Sequence, residues 1–446
     1  MIDSLERRLA LLKPAARGLM TLSSEKKNEI LRKISDLLLQ NEKEILRANH
    51  QDLLNLDQKA NEQPADKANA AFRDRLTLNP DRLRQMADSI RAVADLGDPV
   101  GEVVESRTLT NGLKVRRVRA PLGTILMIFE SRPNVITEVF ALAFKSGNAI
   151  ALRGGSDSRA TAACLYKIIG DVLSHELDTT PDDGSPTRVL PFVGIEDYDR
   201  ALVGRLLQRH DIFDICIPRG GSALIERVTA ESKMPVIKND KGVCHLYLHT
   251  DGDTAMATAI AVNGKTQRPG VCNSLETILV DRSKAREFYQ TAVPELAKRG
   301  VAFQVCPDSF QVLHDLARTD KVESSWMTQV HPADDSDFYN EYLDLKVNLK
   351  IVADFSAAVA HISKYGSHHS EAIITANESV ARRFQNEVDS ACVYWNASTR
   401  FTDGYELGLG GEIGISTQKL HVRGPVGLKE LTSPRWWIDG TGQVRK

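Results

Sequence analysis

The feature that most constrains this chain is a repeated alternation of strand and helix patterns that begins at Gly123. A buried-type strand over 124–129 and a helix over 136–146 open the series, which continues to about residue 232. A second series of the same kind runs from about residue 254 to residue 396. Strands separated by helices pair in parallel, so the alternation predicts parallel sheets covered by helices. Sheets of this kind bind ligands beyond the carboxyl ends of their strands.

The segment before the alternation, from residue 4 to about residue 95, predicts successive helices. Ile30, Ile34, Leu37 and Leu38 fall on one apolar stripe at helical spacing. The polar, alanine-rich stretch 53–70 predicts a looser connection.

A hairpin is predicted between the helices and the first parallel strand. Two alternating segments, 103–109 and 113–119, flank Asn111-Gly112, a strong short-range signal for a tight turn. Its many charges indicate an exposed hairpin that covers a sheet edge or reaches another subunit. The basic block 418–425 is interpreted as a further strand that pairs with this hairpin to form a subunit-bridging arm, with a solvated edge strand as the alternative.

Composition limits the classes of partner. The 446 residues carry 57 basic and 59 acidic side chains, which argues against nucleic-acid or anionic-membrane binding. No apolar run reaches the roughly 20 residues of a membrane helix, and the N-terminus does not resemble a signal peptide. Six cysteines without C-x-x-C spacing suggest reduced thiols, hence a cytoplasmic location. The eleven histidines show no ligand spacing, so no metal is expected.

Two strand ends carry the same triplet. They are Arg153-Gly154-Gly155 and Arg219-Gly220-Gly221. Glycine lets the backbone approach a phosphate, the following helix offers free N–H groups, and arginine adds positive charge. For each triplet alone, a tight turn with a solvated arginine is an equally good interpretation.

Cys272 is the candidate nucleophile. Lys265 and Arg268 precede it, and nearby positive charge favours the reactive thiolate. A buried, inert cysteine is the alternative, and for a cysteine chosen blindly it is the better one. Asn134 follows the first buried strand, where its amide could donate to a developing oxyanion, or where Pro133-Asn134 is simply a turn into a helix.

Five segments resemble the gamma-glutamyl phosphate reductase family of the aldehyde dehydrogenase superfamily. They are 121–158, 217–221, 265–280, 365–375 and 406–431. They follow the order of the family and extend the resemblance over about residues 5 to 435. Their length and specificity make Cys272 the favoured nucleophile.

The resemblance implies an α/β fold of the aldehyde dehydrogenase type, with two parallel-sheet, Rossmann-like domains and a β-hairpin oligomerisation arm. The expected divisions are an NADP-binding domain over 1–102 and 120–246, the arm over 103–119 and 412–446, and a catalytic domain over 247–411. The implied reaction is NADPH-dependent reduction of L-glutamyl 5-phosphate to L-glutamate 5-semialdehyde with release of phosphate, the second step of proline biosynthesis. A homodimer or homotetramer and functional coupling with glutamate 5-kinase are also expected.

Site residues are carried over position by position. Cys272 matches the nucleophile, and Asn134 matches the asparagine that forms the oxyanion hole with the Cys272 backbone N–H. The expected cofactor-binding residues are Arg153, Gly154, Gly155, Ser156, Arg219, Gly220, Gly221 and Glu341, the last matching the glutamate that holds the nicotinamide ribose. The expected substrate-binding residues are Arg132, Lys265 and Arg268.

One departure from the superfamily bears on the reaction. Hydrolytic aldehyde dehydrogenases activate water with a glutamate in an E-L-G-G-K type motif, and Val236–His245, the corresponding region, has no glutamate. A thioester on Cys272 is therefore expected to meet hydride instead of water. The alternatives are a CoA-acylating aldehyde dehydrogenase and a non-catalytic scaffold descendant, while a piece of a bifunctional kinase–reductase is disfavoured because no kinase segment is present.

Overall fold

A computed structural model describes residues 2–62, 70–177, 189–238, 241–319 and 324–445. The chain forms two compact units. Unit 1 comprises residues 1–239, 408–414 and 420–446, and unit 2 comprises residues 240–407 and 415–419.

The helices and strands are numbered in chain order. The helices are α1 Ile2–Ala10, α2 Leu12–Leu19, α3 Ser24–Gln40, α4 Glu42–Glu62, α5 Ala70–Leu76, α6 Pro80–Asp95, α7 Pro133–Lys145, α8 Arg159–Glu176, α9 Arg200–Leu206, α10 Ser222–Glu231, α11 Thr254–Thr266, α12 Ala285–Ala297, α13 Pro307–Thr319, α14 Phe355–Tyr365 and α15 Glu378–Glu387. The strands are β1 Val103–Thr108, β2 Lys114–Pro121, β3 Thr124–Phe129, β4 Ala149–Arg153, β5 Phe192–Gly194, β6 Ile215–Arg219, β7 Cys244–Leu248, β8 Leu275–Asp281, β9 Ala302–Val305, β10 Val330–Pro332, β11 Lys346–Val352, β12 Ser370–Ile374, β13 Cys392–Trp395, β14 Ile415–Ser416, β15 Gly424–Pro425 and β16 Thr432–Asp439.

Two of the helices before the first sheet, α3 and α6, begin at capping side chains. The Ser23 hydroxyl accepts from the Lys26 N–H at the start of α3, and the Asn79 amide oxygen caps α6, where Pro80 takes the first position. Helix α4 continues to Glu62, so the looser connection predicted from residue 53 is wrong over 53–62. Residues 63–69 lie outside the described residues.

Unit 1 contains a four-stranded parallel sheet in the order β5-β4-β3-β6. All six residues of β3 are buried, and they alternate between two cores. Ile125 and Met127 pack with α3, α6, α7 and α8, whereas Leu126 and Ile128 pack with α2 and α9 on the other face. From β3 the chain adds β4 and β5 on one side and then returns to add β6 on the other, so the carboxyl ends of β3 and β6 mark the switch point of the sheet.

Unit 2 contains a seven-stranded sheet in the order β10-β9-β11-β8-β7-β12-β13, with every neighbouring pair parallel. Helices α11, α12 and α13 cover one apolar core, and α14 and α15 cover another. The two parallel sheets confirm the predicted α/β class.

The third sheet, of unit 1, is antiparallel in the order β1-β2-β16. Strands β1 and β2 form the hairpin predicted around Asn111-Gly112. The strand that pairs with β2 is Thr432–Asp439, however, and the prediction that 418–425 adds a strand to the hairpin is wrong, because the only strand in that block, the short β15, is not part of this sheet. The basic residues of 418–425 indicate exposure but do not favour a strand. The segment that pairs with β2 contains Trp436 and Trp437, and large aromatic side chains favour extended strands.

Two further findings concern only the described ranges. None of their helices combines the length and apolar character that a membrane crossing requires. Their histidine, cysteine and acidic side chains form no group that could hold a metal ion.

Candidate active site

Cys272 lies in the loop between α11 and β8, at the amino end of β8. We call residues Gln267–Ser274 the nucleophile loop. Cys272 is half-buried and its thiol is not in a disulfide. Arg268 is exposed on the same loop. The loop thus combines a partly accessible thiol with a positive charge, which is the environment of reactive cysteines.

Asn273, directly after Cys272, is buried and anchors the loop. Its amide nitrogen donates to the Thr402 carbonyl oxygen at 2.8 Å, and its own carbonyl oxygen accepts from the Thr399 hydroxyl at 2.7 Å. Its side-chain oxygen accepts from Nη1 of Arg400. These bonds restrict the backbone directly after Cys272, so the position of this thiol is set by the fold.

Gly242 lies against the other side of the loop, just before β7. A Cβ atom at this position would come within 1.8 Å of the Cys272 carbonyl oxygen. The same carbonyl accepts from the Cys244 thiol at 3.2 Å. The two backbones therefore approach closely only because residue 242 has no side chain.

Glu341, the predicted ribose ligand, lies beside the same glycine. Its Oε1 accepts from the Gly242 N–H at 2.8 Å. Burial raises the pKa of Glu341, and the bond from Gly242 opposes that shift. Cys272 and Glu341 are thus brought to the two sides of Gly242.

Lys265 and Glu276 form an ion pair with both side chains wholly buried, Nζ to Oε2 at 3.0 Å. Burial raises the pKa of Glu276 to about 8 and lowers the pKa of Lys265, because it disfavours both charges. The Leu343 N–H, at a residue with φ +53°, donates to the other oxygen of Glu276 at 3.4 Å. An enclosed ammonium cannot reach a substrate phosphate, so this placement speaks against the predicted substrate contact of Lys265.

The residues around Cys272 gather at the amino edge of the seven-stranded sheet. Gly242 precedes β7, Cys272 precedes β8, Glu341 precedes β11 and His369 precedes β12. We expected ligand-binding residues at the carboxyl ends of the strands, but these candidate residues lie at the amino ends. In unit 2 they stand on the loops that lead into the strands.

In unit 1, the first Arg-Gly-Gly triplet follows β4. A Cβ at Gly155 would lie 2.3 Å from the Ser131 hydroxyl, and one at Gly154 would lie 3.1 Å from the Phe129 ring. The glycines therefore allow close packing against the end of β3. Arg153 donates to the Tyr198 carbonyl at 2.9 Å, whereas Ser156 is exposed.

A cleft of about 440 Å³ lies beside Ser156. Its lining residues are Asp52, Asn55, Leu56, Gln58, Ser156, Asp157 and Arg159. Asp52 accepts from the N–H groups of Ala160 and Thr161 at 2.9 and 2.8 Å, and so caps α8 from α4. The cleft is polar and lies at the carboxyl end of β4.

The second triplet, after β6, is filled by Glu130. Its Oε1 accepts from the Gly221 N–H at 2.7 Å, and a Cβ at Gly220 would lie 2.8 Å from its carboxyl carbon. Arg219 donates to the Ile413 carbonyl at 2.9 Å. Because a carboxylate already takes the start of α10, this placement speaks against the predicted cofactor phosphate contact of Arg219, Gly220 and Gly221.

Arg132 and Asn134 begin α7, which follows β3 at the switch point. Arg132 is the half-buried N-cap residue, and Asn134 is exposed in the first turn, where its carbonyl accepts from the Thr137 hydroxyl at 3.1 Å. The amide of Asn134 is therefore presented at the carboxyl edge of the sheet.

The candidate residues fall into two groups, one in each unit. Sequence reasoning missed Gly242, Asn273, Glu276 and Arg400 in unit 2 and Glu130 in unit 1. Only Asn273 and Glu276 carried a local signal, since they stand next to the nucleophile and within the strand that follows it. The others meet their partners through the fold.

The comparisons with known proteins agree with this architecture. The aldehyde dehydrogenase family model matches residues 6–311. Because this is more than half of the chain, the protein belongs to the aldehyde dehydrogenase family.

Its relatives define the branch. The chain is 42% identical over 435 residues to a gamma-glutamyl phosphate reductase of Nautilia profundicola, covering 98% of each chain. It is also 42% identical over 446 residues to the one of Shewanella denitrificans, covering 100% of this chain and 98% of that one. The crystal structure of gamma-glutamyl phosphate reductase from Thermotoga maritima superposes with a TM-score of 0.88 at 38% identity, covering 100% of both chains. The chain is thus a member of the gamma-glutamyl phosphate reductase family, which confirms the resemblance and the predicted fold class.

Proposed function

We propose that this protein reduces L-glutamyl 5-phosphate to L-glutamate 5-semialdehyde with NADPH and releases phosphate, the second step of proline biosynthesis from glutamate. The observation that carries the proposal is the anchored nucleophile loop. Asn273 and Gly242 hold the backbone of the half-buried Cys272, in a chain that aligns end to end with relatives of that name.

The chemistry begins at Cys272. Its thiolate attacks the acyl carbon, a C–S bond forms, and the C–O bond to phosphate breaks, leaving a thioester. The Asn134 amide and the Cys272 N–H are proposed to donate to the oxyanion in each addition step. When bound, the nicotinamide cofactor supplies the hydride that reduces the acyl carbon. Collapse of the resulting thiohemiacetal releases the semialdehyde and restores the thiolate.

The lack of a glutamate over Val236–His245 supports a reductase. Hydrolysis of the thioester would consume the acyl phosphate without reducing it. Since that region provides no glutamate to activate water, the thioester is expected to persist until the hydride arrives.

The cofactor is proposed to be NADPH. Members of the aldehyde dehydrogenase family use nicotinamide cofactors, and the polar cleft beside Ser156 has the size typical of small-molecule sites. Ser156 and the Arg153–Gly155 turn would hold the phosphate-bearing half, and Glu341 the nicotinamide ribose.

The negative groups of the substrate need cations. Arg268 is exposed on the nucleophile loop, and Arg132 stands at the start of α7 beside Asn134. We propose that these two bind the phosphate and the substrate carboxylate, whereas Lys265 acts only through its buried pair with Glu276.

We further propose a homo-oligomer joined through the three-stranded arm, in the cytoplasm and functionally coupled to glutamate 5-kinase. Trp436, Trp437 and Ile438 of β16 are 49%, 40% and 60% exposed, which supports burial against a second copy. The six free cysteines support a reducing compartment.

The reaction is tested in the oxidative direction. With glutamate 5-semialdehyde and NADP, we expect NADPH to form only when phosphate is present. NADPH formation that requires CoA instead would point to the acylating alternative.

Substitution of Cys272 tests the mechanism. Cys272→Ala is expected to abolish turnover, because it removes the sulfur on which the proposed thioester forms, and the folded variant is checked by circular dichroism. Cys306→Ala serves as the matched control. It changes a buried cysteine directly before α13, and the variant should keep its activity. Wild-type turnover by Cys272→Ala would overturn the mechanism.

A further inference from the structure

The short 3₁₀ turn Thr399–Phe401 lies on the nucleophile loop, although more than a hundred residues separate them in sequence. The Asn273 amide donates to the carbonyl oxygens of Arg400 and Thr402, at 3.3 and 2.8 Å. The Ser398 hydroxyl accepts from the Arg400 N–H at 3.3 Å and caps the turn. The turn is therefore built to present the side chain of Arg400.

The guanidinium of Arg400 bridges the two ends of the loop. Its Nε donates to Gln267 Oε1 at 2.8 Å, before Cys272, and its Nη1 donates to Asn273 Oδ1, directly after Cys272. A guanidinium holds its donors in a rigid plane. One side chain thus sets the separation of the residues that flank the nucleophile.

Arg400 and Cys272 also interact electrostatically. Burial lowers the pKa of the half-buried Arg400, and the neighbouring charge of Arg268 lowers it further. Asp403, Cys272 and Glu406 oppose that shift, because negative charge on these groups favours the guanidinium. Cys244, whose thiol lies on the Cys272 carbonyl, is the other titratable neighbour.

We propose that Arg400 is a positioning residue for the nucleophile: it clamps the loop through Gln267 and Asn273 and holds a positive charge in the neighbourhood of Cys272. The role rests on the proposed function only in taking Cys272 as the nucleophile. It adds a residue outside the nucleophile loop to the machinery of the reaction.

The test measures the reactivity of Cys272 directly. Iodoacetamide alkylation of Cys272 is followed by mass spectrometry across pH in the wild type, Arg400→Lys and Arg400→Ala. We expect Arg400→Ala to shift the alkylation profile to higher pH and to lower kcat about 100-fold, the usual cost of a misplaced reacting group. Arg400→Lys should keep the pH profile near that of the wild type but lose turnover, since it retains the charge and loses the fork. Added guanidinium should partly restore Arg400→Ala.

Arg282→Ala removes a surface arginine of unit 2 that pairs with Asp308, and is the matched control with unchanged activity and alkylation. An Arg400→Ala variant with the alkylation profile and kcat of the wild type would overturn the proposal. If Arg400→Ala fails to fold, the same comparison is made with Gln267→Ala, which removes one bond of the clamp and should lower kcat without changing the pH profile. Because alkylation needs no substrate, a wrong substrate assignment would leave this test intact.

Discussion

At the scale of single residues, the position of Cys272 depends on the absence of a Cβ atom at Gly242. The carbonyl of Cys272 occupies the space that a Cβ of residue 242 would take, and the N–H of Gly242 is tied to Glu341. The same glycine thus contacts the proposed nucleophile and the residue proposed to hold the nicotinamide ribose. Few substitutions can be accommodated here, because the contact is between two backbones.

Gly242→Ala is expected to displace the nucleophile loop and to lower kcat about 100-fold. The measurement is turnover of the purified variant together with alkylation of Cys272. Gly170→Ala is the matched control, since a Cβ there meets nothing within 4 Å and alanine suits the middle of α8. Unchanged kcat in Gly242→Ala would show that the loop tolerates the shift.

At the scale of elements, α14 carries an unusual buried histidine. The His361 ring lies 4.3 Å from the Tyr365 ring and 5.1 Å from the Phe338 ring, measured between centroids. Neither of its nitrogens has a hydrogen-bond partner among the described residues. Burial, with the nearby His245, Lys350 and Lys364, lowers the pKa of His361 to about 2.

This shift makes the stability of the fold sensitive to acid. Below a pH of about 6.5 His361 is protonated in the unfolded chain but stays neutral in the folded chain. The free energy of unfolding is therefore highest above that pH and decreases as the pH falls toward 2. Between pH 7.5 and pH 5.0 we expect the free energy of unfolding to fall by about 2 kcal/mol more in the wild type than in His361→Phe. Urea unfolding at the two pH values measures the difference.

His369 is the internal control for that experiment. Burial lowers its pKa to about 4, and it is present in both proteins, so its contribution cancels in the comparison. Equal losses of stability in the wild type and His361→Phe would contradict a neutral, unpartnered His361.

At the scale of the whole molecule, the arm determines the proposed assembly. Arginines cover part of its aromatic surface: the Arg107 and Arg117 guanidinium groups lie 5.6 and 5.4 Å from the Trp436 ring, and Arg116 lies 5.4 Å from the Trp437 ring. These contacts stabilise the exposed rings without removing them from water.

The double substitution Trp436→Ser/Trp437→Ser is expected to lower the mass of the particle, because it removes the apolar surface proposed to meet a second copy. Analytical ultracentrifugation over a range of protein concentrations gives the mass. Leu54→Ser, at an exposed leucine of α4, is the matched control and should leave the mass unchanged. An unaltered mass in the double variant would place the subunit contact elsewhere.

The local structure and the family can be inferred from the residues alone. Alternating segments predicted two parallel sheets, Asn111-Gly112 predicted the hairpin, and the residues around Cys272 pointed to the family, within which Cys272 is the proposed nucleophile. Each of these signals is contained within a few tens of residues, and periodicity and turn chemistry act at that range.

Which side chains meet depends on how distant segments pack. The fold encloses Lys265 against Glu276, fills the Gly220-Gly221 turn with Glu130, and brings Arg400 onto the nucleophile loop. It also places β16, not residues 418–425, beside β2. The identity of a residue determines which interactions its side chain can make. Which residue it interacts with depends on strand order and on packing between segments distant in the chain. The role of Lys265, for that reason, could be assigned only after its burial was known.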